Sequence, residues 1–224
     1  MDKQLLVSDS KSSPLPIVVL VSGNGSNLQA IIDAIAAGQL NARICAVISN
    51  TSDAYGLQRA QSAGIPGIVI EHENFQGRET FDEKLKACIE QYQPELIVLA
   101  GFMRILGDRF VQHFSGKMIN IHPSLLPKYR GLHTHRRALD AGDKEHGLSI
   151  HFVSTELDGG PLILQVKVAV LADDTEESLA QRVLAQEHKT YPMVIQWVAD
   201  KRLKLLGEQV MLDGKPVNKH ANNA

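Results

Sequence analysis

An α/β fold built on an open, mostly parallel twisted sheet with helices on its faces is predicted by three observations. Unbroken apolar runs such as Ile17 to Val21 lack the polar alternation of a half-exposed strand and suit strands buried on both faces. Apolar stripes at helical spacing separate these runs, so strand and helix alternate as far as Ala100. Nearer the C-terminus, runs from Gly147 to Val153 and from Leu162 to Val170 follow each other without a helix, which predicts an antiparallel portion. No Pro/Gly/Ser-rich linker interrupts the interior, so residues 17–224 are expected to form one domain. Residues 1–16 read as a flexible extension, too short in apolar content for a signal or a membrane span.

The first strand runs directly into Ser22-Gly23-Asn24-Gly25-Ser26-Asn27, and Leu28, Ile31, Ile32 and Ile35 then mark a helix that Gly38 stops. Strand, glycine turn and helix start together make an anion site, because unpaired N–H groups and the helix dipole face a backbone that a phosphate can approach. Leu28 stands where a dinucleotide fingerprint needs its third glycine, and the second strand ends Ile48-Ser49-Asn50 without an acid. A single phosphate therefore fits better than a dinucleotide, and a plain tight turn is the alternative. Strands from Arg43 to Ser49, Gly67 to Ile70 and Leu96 to Ala100 alternate with helices from Tyr55 to Ala63 and Arg78 to Tyr92. The loop after them, Gly101-Phe102-Met103-Arg104-Ile105-Leu106, is too apolar for a solvated turn and is expected to line an apolar pocket or fill core.

Met118 to Pro127 is the stretch with most chemistry. A short strand stopped by Pro123 puts Asn120 and His122 on one side of its end, an amide donor beside a titratable ring. Such a pair can polarise a carbonyl and move a proton; capping the sheet edge is the alternative. Asp158, in the turn Ser154-Thr155-Glu156-Leu157-Asp158-Gly159-Gly160-Pro161, would stabilise imidazolium if it reached His122, or else hold its own loop. His133 and His135 open a further helix, but no third ligand stands at metal-site spacing. Asp174 with Glu177 resembles a capping box for the last long helix, and Pro192 is expected to kink or end it before Trp197. Along that helix Leu179, Val183, Glu187 and Tyr191 are four apart, so one carboxylate interrupts an apolar stripe. It needs a partner, either a ligand's hydroxyls or amine, or a nearby Lys or Arg. Gln209 to Val217 reads as a hairpin turning at Asp213-Gly214, followed by a frayed polar tail.

A net charge of −2 gives no polycationic footprint, which argues against nucleic acid as the main partner. Two cysteines without paired spacing support neither a disulfide framework nor a zinc site, and they suit a reducing, cytoplasmic setting.

Four motifs, SGNGSNL from Ser22, AGFMRIL from Ala100, INIHPSLLPK from Ile119 and LDGGP from Leu157, together resemble the phosphoribosylglycinamide formyltransferase family, in that family's order. The likeness implies a Rossmann-like formyltransferase fold. It also implies formyl transfer from 10-formyltetrahydrofolate to the amine of glycinamide ribonucleotide in purine biosynthesis, with no metal. By the same resemblance Asn120 and His122 stabilise an oxyanion and Asp158 orients or charges His122. Gly23, Asn24, Gly25, Ser26, Asn27 and Glu187 hold the ribonucleotide. Arg78, Met103, Arg104, Ile105, Leu106, Asn120, Ser154, Thr155, Glu156, Leu157 and Asp158 surround the folate. The partners implied are these two small molecules, without nucleic acid or membrane, and a homodimer is compatible. Arg130 departs from the pattern, standing where the family usually has proline.

Overall fold

The computed structural model describes residues 13–217. The expected extension through Ser12 and the polar tail after Val217 lie outside the described residues. Strand β1 (Leu15–Val21) starts two residues before the expected boundary, because Leu15 and Pro16 already pair with Ala42 and Arg43 of β2 (Ala42–Ser49). Helix α1 (Ser26–Ala36) connects them, and α2 (Tyr55–Ser62) leads to β3 (Gly67–Val69). A single 3-10 turn (His72–Asn74) precedes α3 (Arg78–Glu90), which leads to β4 (Leu96–Leu99). Next come α4 (Asp108–His113), β5 (Met118–His122), α5 (Thr134–Asp140), and the hairpin of β6 (Glu145–Phe152) with β7 (Leu162–Ala169). Helix α6 (Glu176–Ala199) closes the main body.

The seven-stranded sheet has the order β3-β2-β1-β4-β5-β6-β7, parallel through β5 and antiparallel beyond it. From β1 the sheet grows through β2 to one side and through β4 to the other. Crossover connections leaving in opposite directions part at that point, which opens a crevice at the carboxyl ends of β1 and β4. Alternation along β1 separates two core layers: Ile17, Val19 and Val21 pack with α1 and α6, while Val18 and Leu20 pack with α3 and α4. Both layers are apolar, so the first strand needs no polar residue.

Three local expectations are corrected. The cap of α6 is Thr175 with Ser178, each side chain bonding the other's backbone N–H; Asp174 instead takes the Leu171 N–H and pairs with Arg182. Helix α6 also runs through Pro192 to Ala199, since fully buried Tyr191, Val194 and Ile195 on either side of the proline outweigh the ~3 kcal/mol such a residue costs. The tail hairpin, β9 (Gln209–Leu212) with β10 (Lys215–Pro216), gains a third strand, β8 (Leu203–Leu206), to form a separate antiparallel sheet. No helix among the described residues is long and apolar enough to cross a membrane.

Candidate active site

The glycine turn sits at the carboxyl end of β1. Gly25 adopts a left-handed conformation (φ 71°), and a Cβ there would stand 2.7 Å from the Gly56 Cα, so only glycine allows α2 to pack this closely. No side chain caps α1 and no acid occupies its first turn, which leaves its N–H groups for an anion. Arg59 braces the turn from α2, donating from Nε to the Asn24 carbonyl (2.8 Å) and from a terminal nitrogen to Asn24 Oδ1 (3.1 Å).

Glu187, buried on α6, meets neither Lys nor Arg among the described residues. Its Oε2 accepts from Asn27 Nδ2 at 2.7 Å, and the opposite Asn27 oxygen is buried without a partner. An acceptor pair of this kind is incomplete until a donor such as a sugar hydroxyl arrives. Burial pushes the Glu187 carboxyl up from 4.5, and the Asn27 bond only partly opposes it. A carboxyl raised in this way keeps its proton in the folded state after the unfolded chain has lost it. Its stability contribution is therefore full below pH 4.5 and is lost as pH rises through the folded value. Glu187→Gln should remove that loss: the ligand-free variant melts above the parent at pH 8, and the gap closes toward pH 4. Equal pH slopes in thermal melts would show that Glu187 is not strained by burial.

Strand β5 lies between β4 and β6, with Asn120 beside Leu99 on one side and His151 on the other. The buried His151 ring fixes the Asn120 amide. Its Nδ1 lies 2.9 Å from the Phe152 carbonyl and so carries the proton, which leaves Nε2 to accept from Asn120 Nδ2 at 3.2 Å. Burial lowers the His151 pKa, in keeping with this neutral acceptor. One Asn120 N–H thus remains for the crevice. By the same logic His122 Nε2 donates to the Tyr129 carbonyl (2.9 Å), and Nδ1 faces Asp158 Oδ2 at 3.6 Å. That gap is too long for a direct hydrogen bond. Both side chains are under a tenth exposed, so water screens the pair weakly. Asp158 holds no turn of its own: its Oδ2 accepts the Gly131 N–H (2.9 Å) across the crevice. The loop needs Gly160, where a Cβ would fall 1.9 Å from the Phe152 carbonyl oxygen.

Two further loops frame these groups. In the loop after β4, Met103 is 68% and Ile105 51% exposed, whereas Leu106 is buried in core, so the core-filling expectation holds at Leu106. Asp82 of α3 anchors the loop by accepting the Gly107 N–H (2.7 Å), and the Arg104 guanidinium lies over the Phe81 ring. Arg78 is exposed at the start of α3 beside Gly107. In the loop before β7, Ser154 bonds the Glu156 carbonyl, Thr155 is exposed, Leu157 is 48% exposed, and Glu156 pairs with Arg130. The structure therefore brings Asn120, His122 and Asp158 together, and the glycine turn to Glu187. His151 was visible in the sequence only as a strand residue; an antiparallel partner of Asn120 is identifiable only once register is known. The His133/His135 pair does not act as a unit, because His135 Nδ1 turns to His146 Nε2 (3.1 Å). Among the described residues no group of three or more His, Cys, Asp or Glu is placed to hold a metal ion.

Residues 15–195 match the formyl transferase family model. The chain is 56% identical to the phosphoribosylglycinamide formyltransferase of Escherichia coli (strain K12) over 199 residues, 89% of this chain and 94% of that protein. It is 48% identical to the Haemophilus influenzae enzyme of the same name, covering 91% and 96%. A solved phosphoribosylglycinamide formyltransferase from Coxiella burnetii, in complex with CHES, superposes with a TM-score of 0.91 at 58% identity, covering 94% of this chain and 99% of that one. With the sheet order, the crevice and these likenesses in agreement, the chain belongs to the formyl transferase family.

Proposed function

We propose that this chain transfers the formyl group of 10-formyltetrahydrofolate to the glycine amine of N1-(5-phospho-D-ribosyl)glycinamide, giving the N-formyl product and tetrahydrofolate in purine biosynthesis. What supports the reading is the convergence of Asn120, His122 and Asp158, together with an uncapped helix start after the glycine turn. The amine lone pair attacks the formyl carbon, and the carbonyl π pair moves to oxygen. The remaining Asn120 N–H and the His122 ring stabilise that oxyanion, and the Asp158 carboxylate, which faces His122 Nδ1, orients the ring and helps move protons. Collapse re-forms the carbonyl and breaks the bond to folate N10, which gains a proton as the amine loses one. The Gly23 to Asn27 turn binds the phosphate, Asn27 and Glu187 take ribose hydroxyls, and the exposed Met103, Ile105 and Leu157 offer the folate an apolar bed with Arg78, Arg104 and residues 154–158 around it. Buried, unpaired Cys45 and Cys88 suit the reducing cytoplasm as its place of work.

Formyl transfer assayed with glycinamide ribonucleotide and 10-formyltetrahydrofolate, with and without the acceptor, tests this directly. Formate release that ignores the acceptor would instead identify a hydrolase. Gly25→Val probes the phosphate site. Backbone strain of about 1–3 kcal/mol there should raise KM for the ribonucleotide about ten-fold or more, with a far smaller change for the folate. A selective loss of folate affinity would place the phosphate elsewhere, as would a phosphate-free riboside that reacts as well as the ribonucleotide.

A further inference from the structure

Every polar group of Ser22 is committed across the point where the sheet reverses its growth. Its N–H donates to the Gly101 carbonyl (3.1 Å), and its carbonyl accepts from the Thr51 hydroxyl (3.3 Å). Its own hydroxyl donates to Asn50 Oδ1 and accepts the Met103 N–H at 2.7 Å. Asn50 and Thr51 follow β2, Ser22 ends β1 and begins the glycine turn, and Gly101 and Met103 follow β4. A hydroxyl has one proton; with that given to Asn50, only its lone pairs face Met103, so the direction of both bonds is set. Asn50 is itself held, its carbonyl accepting from His72 Nδ1 at 2.9 Å. One half-buried serine thus stands between the turn that faces the phosphate and the loop that carries Met103 and Ile105.

We propose that the Ser22 hydroxyl is a positioning group that couples the two substrate sites, so that each substrate tightens the binding of the other. The inference rests on the site assignments of the proposed function. Ser22 adjoins Gly23, so a turn that settles on a phosphate carries the hydroxyl with it. The Met103 backbone follows because its N–H has that oxygen as its acceptor. Linkage makes the effect reciprocal.

The test measures binding of tetrahydrofolate, which lacks the formyl group and cannot react, with and without saturating glycinamide ribonucleotide, by calorimetry on the full chain. The parent should bind tetrahydrofolate about five-fold or more tightly when the ribonucleotide is present, the lower end of ordinary coupling. In Ser22→Ala that ratio should fall to about one, while each ligand alone binds within about three-fold of the parent. Ser22→Thr, which keeps the hydroxyl, should restore the ratio. A group with a merely structural role would weaken both ligands alone and leave the ratio intact, and that result overturns the proposal. Should Ser22→Ala fold poorly, Asn50→Ala decides, since it frees the hydroxyl to turn away from Met103: a reduced ratio supports the coupling and an unchanged one overturns it. A parent that binds both ligands without coupling overturns this inference alone, whereas a parent that fails to bind either one overturns the proposed function with it.

Discussion

His122→Ala should lose at least ~100-fold in kcat, the lower range for a general acid–base group or an oxyanion donor, with KM for both substrates little changed. The ring faces Asp158 through Nδ1 and bonds the protein through Nε2, so deletion removes the group proposed to face the oxyanion and only one structural bond, to the Tyr129 carbonyl. That bond is worth about 1 kcal/mol, too little to unfold a chain whose apolar layers lie elsewhere. Circular dichroism and a thermal melt should therefore resemble the parent while single-turnover transfer collapses. Near-normal turnover would remove His122 from the chemistry.

A comparable loss, again at least ~100-fold in kcat, is expected for Asp158→Asn, by a different route. The amide oxygen can still accept the Gly131 N–H, which keeps the loop in place. What changes is the charge beside His122: the oxygen that keeps the Gly131 bond is also the one that faces Nδ1, and in the variant it is a neutral amide oxygen. Near-normal turnover would mean that Asp158 serves the loop alone.

How much of this was legible in the sequence depends on the distance over which each feature is determined. Strand β1 and helix α1 are local objects, fixed by a continuous apolar run, an apolar stripe and two glycines, and they emerge within two residues of expectation. The Glu187 anomaly was also visible, as a carboxylate in a stripe, but its partner was not: Asn27 lies 160 positions away, and only the packing of α1 on α6 brings it near. Helix α4, six residues long, and β8, four, are too short for periodicity to declare. The capping box escaped by one residue because Asp174, Thr175, Glu177 and Ser178 offer two boxes in overlapping register. Arg182, two turns along, draws Asp174 out of the first. At the active site, residue identity suggested Asn120, His122 and Asp158, whereas the tautomers depend on the carbonyls of Tyr129 and Phe152, which are set by tertiary position.

The Arg130–Glu156 pair joins the loop that carries Gly131 to the loop that carries Asp158. A proline at Arg130 would restrain its loop by narrowing the conformations of the unfolded chain, an effect indifferent to dissolved ions. An exposed ion pair restrains through Coulomb attraction, worth roughly 0.2–1 kcal/mol, and it weakens as the Debye length shrinks from about 10 Å at 0.1 M to about 3 Å at 1 M salt. This chain holds the loop of Asp158 by an ionic restraint rather than an entropic one. Its turnover should decline between 0.1 and 1 M potassium chloride by up to about five-fold, and Arg130→Pro should flatten that dependence in a salt titration of kcat.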